Sequence, residues 1–267
     1  MKNTTVVLFQ SVLAVMMIIG ISPSHAASQS DLNKEKRWEE QIVDSLLVGE
    51  VIKLKKNDTE FLALFTESNM DNVKGAVILL HGRGAHPAWP DVIEPLRIEL
   101  PEHGWHTLSL QMPILDNDAT DVNYPPLFAE VPARIQAGVD FLKSKGVKNI
   151  VVAGHSLGAA MGTYYLSTLP DRTVKTFVMI SSGAGVVGDK RMDSLTNFKH
   201  IRDMNIIDVY GSEDNENIFK QLIYRAAVSK NLRNDYYQRL KIKGANHLYQ
   251  GKQAILVKEL NKTLTNL

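Results

Sequence analysis

The chain has no cysteine. That excludes a disulfide framework, a thiol nucleophile and a lipid anchor attached through a cysteine. It also lacks an excess of either charge, with 30 basic and 29 acidic residues among 267. No electrostatic footprint for nucleic acid or an anionic membrane surface follows from that balance. The longest apolar run, residues 6–21, is interrupted by Gln10 and falls short of the ~18 to 20 residues a spanning helix needs. Internal repeats, low-complexity tracts and Pro/Gly/Ser-rich linkers are missing too, and no His/Asp/Glu cluster has metal-ligand spacing. Nothing in the residues calls for a metal or another cofactor.

The first 26 residues read as an export signal and not as part of the fold. Lys2 is followed by the apolar run, Pro23 breaks it, and Ser24-His25-Ala26 offers small residues for a signal peptidase. The alternative is an uncleaved membrane anchor. Cleavage would leave a mature chain starting near Ala27, with 29 basic and 29 acidic residues, because Lys2 is the one charge lost. The remaining length of about 240 residues fits one α/β domain, residues 27–267.

Residues 31–47 predict a helix, with Trp38, Ile42 and Leu46 on one face. Strands at 49–54 and 61–66, separated by Lys55-Lys56-Asn57-Asp58, predict an antiparallel hairpin. From Gly75 onward strand and helix alternate: strands at 76–80, 107–111, 150–153, 176–180, 206–210 and 236–242, helices at 89–100, 132–145, 161–168, 218–229 and 253–264. Strands that are continuous Val/Ile/Leu runs between amphipathic helices predict a mostly parallel sheet covered on both faces. About 25 residues separate the strands ending at Ile180 and beginning at Ile206. They leave room for one helix near 193–204 and none for a large lid.

Gly154-His155-Ser156-Leu157-Gly158 joins one such strand to a helix. Chance supplies Gly-x-Ser-x-Gly in roughly one chain of this length in ten, so its surroundings must decide. A tight strand-to-helix turn here would present Ser156 at the carboxyl end of the sheet, and Gly154 and Gly158 would leave room in the cramped turn. A serine hydroxyl needs a base and an acid to become a nucleophile. Gly244-Ala245-Asn246-His247 follows the last strand and Tyr210-Gly211-Ser212-Glu213-Asp214 the one before it. The resulting order Ser156, Asp214, His247 is that of α/β-hydrolases and of neither serine-protease type. Glu213, Glu216 and Asp189 compete for the acid position, whereas Asp208 lies within an apolar strand and reads as structural. Upstream, the strand 75–80 runs into His81-Gly82-Arg83-Gly84, where the N–H of Arg83 would join that of Leu157 in an oxyanion hole.

These elements together resemble an α/β-hydrolase fold serine hydrolase from about Val48 to the C-terminus. A closer likeness is to a family of exported bacterial proteins of unknown function. It is carried by Leu47-Val48-Gly49-Glu50, Phe61-Leu62-Ala63-Leu64, His81-Gly82-Arg83-Gly84-Ala85-His86-Pro87 and Leu100-Pro101-Glu102-His103-Gly104-Trp105. That likeness implies the fold and no substrate. Many lipases and esterases carry a run of glycines where Arg83 stands, so a three-donor oxyanion hole and bulky tertiary-alcohol esters are not expected.

The expected activity is that of a carboxylesterase-like serine hydrolase, periplasmic or secreted, acting on a small-molecule acyl substrate without a cofactor. An acyltransferase using the same triad, a non-catalytic envelope binding module and a peptidase are the rival readings. Arg83, His86 and Trp89 are candidates to line the substrate pocket, although Arg83 could instead pair with a surface acid such as Asp91. Met112, Pro113 and Leu115 are either an apolar wall of that pocket or buried filler.

Overall fold

The β-branched and leucine-rich runs all become strands of one eight-stranded sheet. The computed structural model describes residues 29–56, 59–168, 173–201 and 203–267. The strands are β1 (Glu50–Lys56), β2 (Thr59–Thr66), β3 (Gly75–Leu80), β4 (Trp105–Leu110), β5 (Ile150–His155), β6 (Thr176–Ile180), β7 (Asn205–Gly211) and β8 (Tyr237–Ile242). Their order in the sheet is β1-β2-β4-β3-β5-β6-β7-β8. β2 runs antiparallel to both its neighbours, and every other adjacent pair is parallel. The opening hairpin pairs Glu50 with Phe65 and Leu54 with Phe61. Residues 57–58 of its expected turn lie outside the described residues, as does the expected export signal.

Alternation along the strands divides the core into two layers. Ile78 and Leu80 of β3, Val152 of β5 and Phe177 of β6 face one layer, which α3 (Val131–Ser144) and α4 (Leu157–Thr168) cover. Val77, Leu79, Val151 and Val178 face the other, under α2 (Ile93–Glu99) and α7 (Gln253–Thr265). The central strands are buried on both sides, which is why their sequences are apolar without interruption.

At the sheet's antiparallel end, α1 (Leu32–Ser45) packs Trp38 and Ile42 against Leu62 and Leu64 of β2. A buried ion pair fastens it to α3, Arg134 donating to Glu35 at 2.9 and 3.0 Å. Asp31 caps the helix by accepting from the Lys34 N–H at 2.9 Å.

Three helices differ from expectation: α4 begins at Leu157 and not at 161, directly after Ser156. α2 begins at Ile93 and not near Trp89, because Pro90 disfavours helical geometry at the residue before it. A 3-10 turn at Leu100–His103 continues it. The helix expected near 193–204 shrinks to α5 (Ser194–Phe198). Beyond it the N–H groups of His200 and Ile201 bond three residues back, to Asn197 and Phe198, and Asp203 takes a left-handed φ of 51° before β7. The remaining helix, α6 (Glu216–Asn231), carries Asn215 as its N-cap.

Candidate active site

Three parallel strands, β5, β7 and β8, end side by side or one strand apart, and their following loops supply the polar groups of the site. β5 passes straight into α4 through Ser156, whose φ is 54°. The Ser156 N–H donates to the Ile180 carbonyl at 2.9 Å, and its own carbonyl accepts from Ala159 at 3.0 Å. The turn is tight because α4 lies against the end of β3. A Cβ on Gly154 would stand 2.5 Å from the Gly158 carbonyl carbon, and one on Gly158 would stand 2.2 Å from the Leu80 oxygen.

His247 Nε2 lies 3.1 Å from Ser156 Oγ, and His247 Nδ1 lies 2.9 Å from Asp214 Oδ1. Asp214 Oδ1 also accepts from the Asn215 N–H at 2.8 Å, and Oδ2 accepts from the Ser181 hydroxyl. Burial opposes the Asp214 charge, but the bonds from His247, Ser181 and Asn215 outweigh it and hold the carboxyl below its ordinary range. An ionised Asp214 can only accept, so the His247 proton sits on Nδ1 and Nε2 is left to accept from Ser156. Two of the three competing acids are engaged elsewhere: Asp189 with Arg191 at 2.9 Å and Glu216 with Lys220 at 2.8 Å. Asp208 is fully buried and bound to Arg225 at 2.6 Å, a structural pair.

Two further histidines hold the backbone in place. Burial pushes His155 down to about 4, so near neutrality its ring is uncharged, and Nε2–H donates to the His247 carbonyl at 2.9 Å. Burial likewise pushes His81 down to about 3. Its Nε2 accepts from the Met112 N–H at 2.9 Å, which puts the proton on Nδ1, 2.9 Å from the Gly82 carbonyl oxygen it donates to. In a planar trans peptide the N–H of the next residue points the opposite way. The Arg83 N–H is therefore turned away from His81. Among the described residues neither it nor the Leu157 N–H donates to any protein group.

A cleft of about 300 Å³ opens over Ser156 and His247, bordered by Arg83, Leu157, Met192, Asn215 and Ile218. Arg83 pairs across its rim with Asp121 at 3.2 Å, and not with Asp91. His86 and Trp89 do not border this cleft. His86 packs edge-on between Trp38 and Trp89, with ring centroids 5.1 and 5.2 Å away, and burial pushes it down to about 4. Its Nδ1 accepts from the Ala88 N–H at 3.2 Å. Met112 and Pro113 are buried and Leu115 packs against the core, so they act as filler. Among the described residues no group of three or more His, Cys, Asp or Glu side chains is arranged to hold a metal ion.

The family model described as "Protein of unknown function (DUF3530)" matches residues 20–129 and 123–261. The chain belongs to this family. No curated protein is significantly similar to it in sequence. Among solved structures it is similar to the Pyrococcus furiosus esterase Pf2001, with 15% identity over 84% of this chain and 95% of that one and a TM-score of 0.65. Est1E from Butyrivibrio proteoclasticus matches with 16% identity over 82% of this chain and 98% of that one, at a TM-score of 0.61. An alpha-beta serine hydrolase homologue from Coxiella burnetii matches at 16% identity, over 82% and 99% of the two chains, with a TM-score of 0.59. These likenesses show that the chain has the α/β-hydrolase fold.

Several residues of the site escape sequence reasoning. Met192 and Ile218 form the apolar side of the cleft, but they come from the loop before α5 and the first turn of α6, where no local pattern marks them. Ser181 carries a usable signal, since it directly follows a predicted strand at the carboxyl edge of the sheet, where sites in open α/β sheets gather.

Proposed function

We propose that the protein is an exported serine hydrolase that cleaves an ester, thioester or related acyl bond, with carboxylesterase-like chemistry, in the periplasm or outside the cell. One observation carries this reading: the continuous line from Ser156 Oγ to His247 Nε2 at 3.1 Å and from His247 Nδ1 to Asp214 at 2.9 Å. Ser156 attacks the acyl carbon, His247 takes the hydroxyl proton and delivers it to the leaving group, and Asp214 fixes the tautomer and balances the imidazolium charge. The N–H groups of Arg83 and Leu157 receive the oxyanion; loss of one such donor typically costs about 100- to 1000-fold in rate. Water, activated by the same histidine, then releases the acyl group. Export rests on the leader-like first 26 residues. A cleft of about 300 Å³ is at the small end of ligand sites, which favours a small acyl substrate.

Incubation with a fluorophosphonate probe followed by mass spectrometry tests the reading. Modification at Ser156 that disappears in Ser156→Ala is expected. A folded protein left unmodified, or modified at another residue, overturns it.

A further inference from the structure

Among the described residues five that are not glycine adopt a left-handed backbone, and three of them lie along one hydrogen-bonded line: Ser156 (φ 54°), Ser181 (φ 48°) and Tyr249 (φ 57°). This conformation crowds any Cβ and is a marked outlier for a bulky residue such as tyrosine. Strain of this kind persists where the surrounding structure enforces it, and it collects at functional sites. Here it serves two side chains with no room to move. Ser181 and Tyr249 are both completely buried, and their hydroxyl oxygens lie 3.0 Å apart.

The direction of the protons follows from elementary inventory. The Asp214 carboxylate can only accept, so Ser181 gives its single proton to Oδ2. The Ser181 oxygen is then free only to accept, and Tyr249 must be its donor. Burial holds the Tyr249 phenol far above its ordinary range, so that proton stays in place. Every donor in the line therefore points toward Asp214.

The consequence lies in what each carboxylate oxygen touches. Oδ1 accepts from His247 at 2.9 Å and from the Asn215 N–H at 2.8 Å, while Oδ2 is held by Ser181. With one oxygen pinned, the carboxylate plane can still swing about its Cβ–Cγ bond; with both pinned, it cannot. We propose that Ser181 and Tyr249 form a positioning relay that locks the Asp214 carboxylate from behind and thereby fixes the His247 ring over Ser156. The relay rests on the reading of Ser156, His247 and Asp214 as a catalytic triad, and neither Ser181 nor Tyr249 needs to touch the reacting atoms.

The test uses the full chain and a fluorophosphonate probe, so it requires no knowledge of the substrate. Ser181→Gly removes the hydroxyl at a backbone position where glycine is unstrained, and Tyr249→Phe removes one oxygen and keeps the ring. The rate of Ser156 modification is expected to fall about 10- to 100-fold in Ser181→Gly, as for loss of a hydrogen bond to a charged group, and about two- to tenfold in Tyr249→Phe. The double variant should react no more slowly than Ser181→Gly alone, because Tyr249 acts only through Ser181. The low-field proton resonance of the His247–Asp214 hydrogen bond should shift in Ser181→Gly, a signature that a merely stabilising role would not move. Wild-type rates with an unmoved resonance in the single variants overturn the relay, as do losses that multiply in the double variant. If the wild type does not react, the hydrolase reading fails separately, and the resonance alone then decides: unmoved in Ser181→Gly, it overturns the relay.

Discussion

Gly158, in the first turn of α4, lies directly against the carbonyl of Leu80 at the end of β3, so that a Cβ at position 158 would fall 2.2 Å from the Leu80 oxygen. Backbone meets backbone at this point, and neither partner can rotate away. Gly158→Ala must therefore push α4 off β3 and carry Ser156 with it. A loss of at least 1–3 kcal/mol is expected, the usual range for overpacking, together with loss of Ser156 reactivity. Urea unfolding followed by tryptophan fluorescence measures the first and probe modification the second. Gly84→Ala is the contrast: its φ is 66° but nothing lies within 4 Å, so it should cost only the backbone strain of about 1–2 kcal/mol.

Arg225 and Asp208 form a second fixed relationship, beneath the strand ends and not among the residues that border the cleft. Asp208, in β7, accepts from Arg225 at 2.6 and 3.0 Å and from the Tyr237 hydroxyl at 2.7 Å, while Arg225 also donates to the Ser182 carbonyl at 3.1 Å. Both side chains are almost wholly buried. Arg225→Ala would strand a carboxylate in the core, and breaking such a pair costs about 3–5 kcal/mol. Replacing both partners, as in Asp208→Leu with Arg225→Met, should recover part of that loss, because no buried charge remains, while the Tyr237 hydroxyl and the Ser182 carbonyl lose a partner. Comparison of the urea midpoints of the three proteins decides the matter, and equal midpoints for the single and double variants would contradict it.

The parts of this architecture that were legible in the sequence are those encoded by local pattern. Uninterrupted runs such as Ala76 to Leu80 and Ile150 to Ala153 announced strands buried on both faces, and His247 and Asp214 stood just past the last two strands, where loops of such sheets meet. What was not legible depends on distant partners. His86 sits beside the Gly82–Gly84 turn in sequence, yet Trp38 from α1 draws its ring into an aromatic cluster away from the cleft. Glu35 stands in a charged stretch of α1, and Arg134, 99 positions away, makes it a buried anchor. The cleft's apolar side, Met192 and Ile218, arises only where two loops converge.

His81 and His155 impose a pH dependence on stability. Burial pushes them to about 3 and about 4 in the folded protein, whereas in the unfolded chain both titrate near 6.5. Below about pH 6.5 the unfolded chain binds protons that the folded protein refuses until the pH reaches about 3 to 4. Their contribution is thus fully present at neutral pH and is lost as the pH falls through that window. A shift like that of His155 corresponds to roughly 3 kcal/mol at its limit. Urea unfolding at pH 7.5 and pH 5 should show the lower stability at pH 5. The difference should shrink in His155→Gln, whose amide can still donate to the His247 carbonyl but does not titrate. A protein equally stable at both pH values would contradict the buried neutral state of these rings.

Asp214→Asn separates the charge of the acid from its shape. The substituted amide has nearly the same volume and, with its oxygen in the Oδ2 place, keeps the Ser181 hydroxyl as a partner while the Asn215 N–H loses its acceptor, so folding should change by about one buried hydrogen bond, about 1–3 kcal/mol. Chemistry should change far more. With the amide NH₂ facing the ring, His247 Nδ1 must accept, the proton moves to Nε2, and Nε2 can no longer accept from Ser156 at 3.1 Å. Even if the amide turned its oxygen to the ring, no negative charge would balance the imidazolium that forms during attack. The same substitution in a known serine triad lowers turnover about 10⁴-fold, and on the proposed reading a loss of that order in the rate of Ser156 modification is expected here. A variant that folds and still reacts within tenfold of the wild type would show that Asp214 only shapes the loop and does not support His247 as a base.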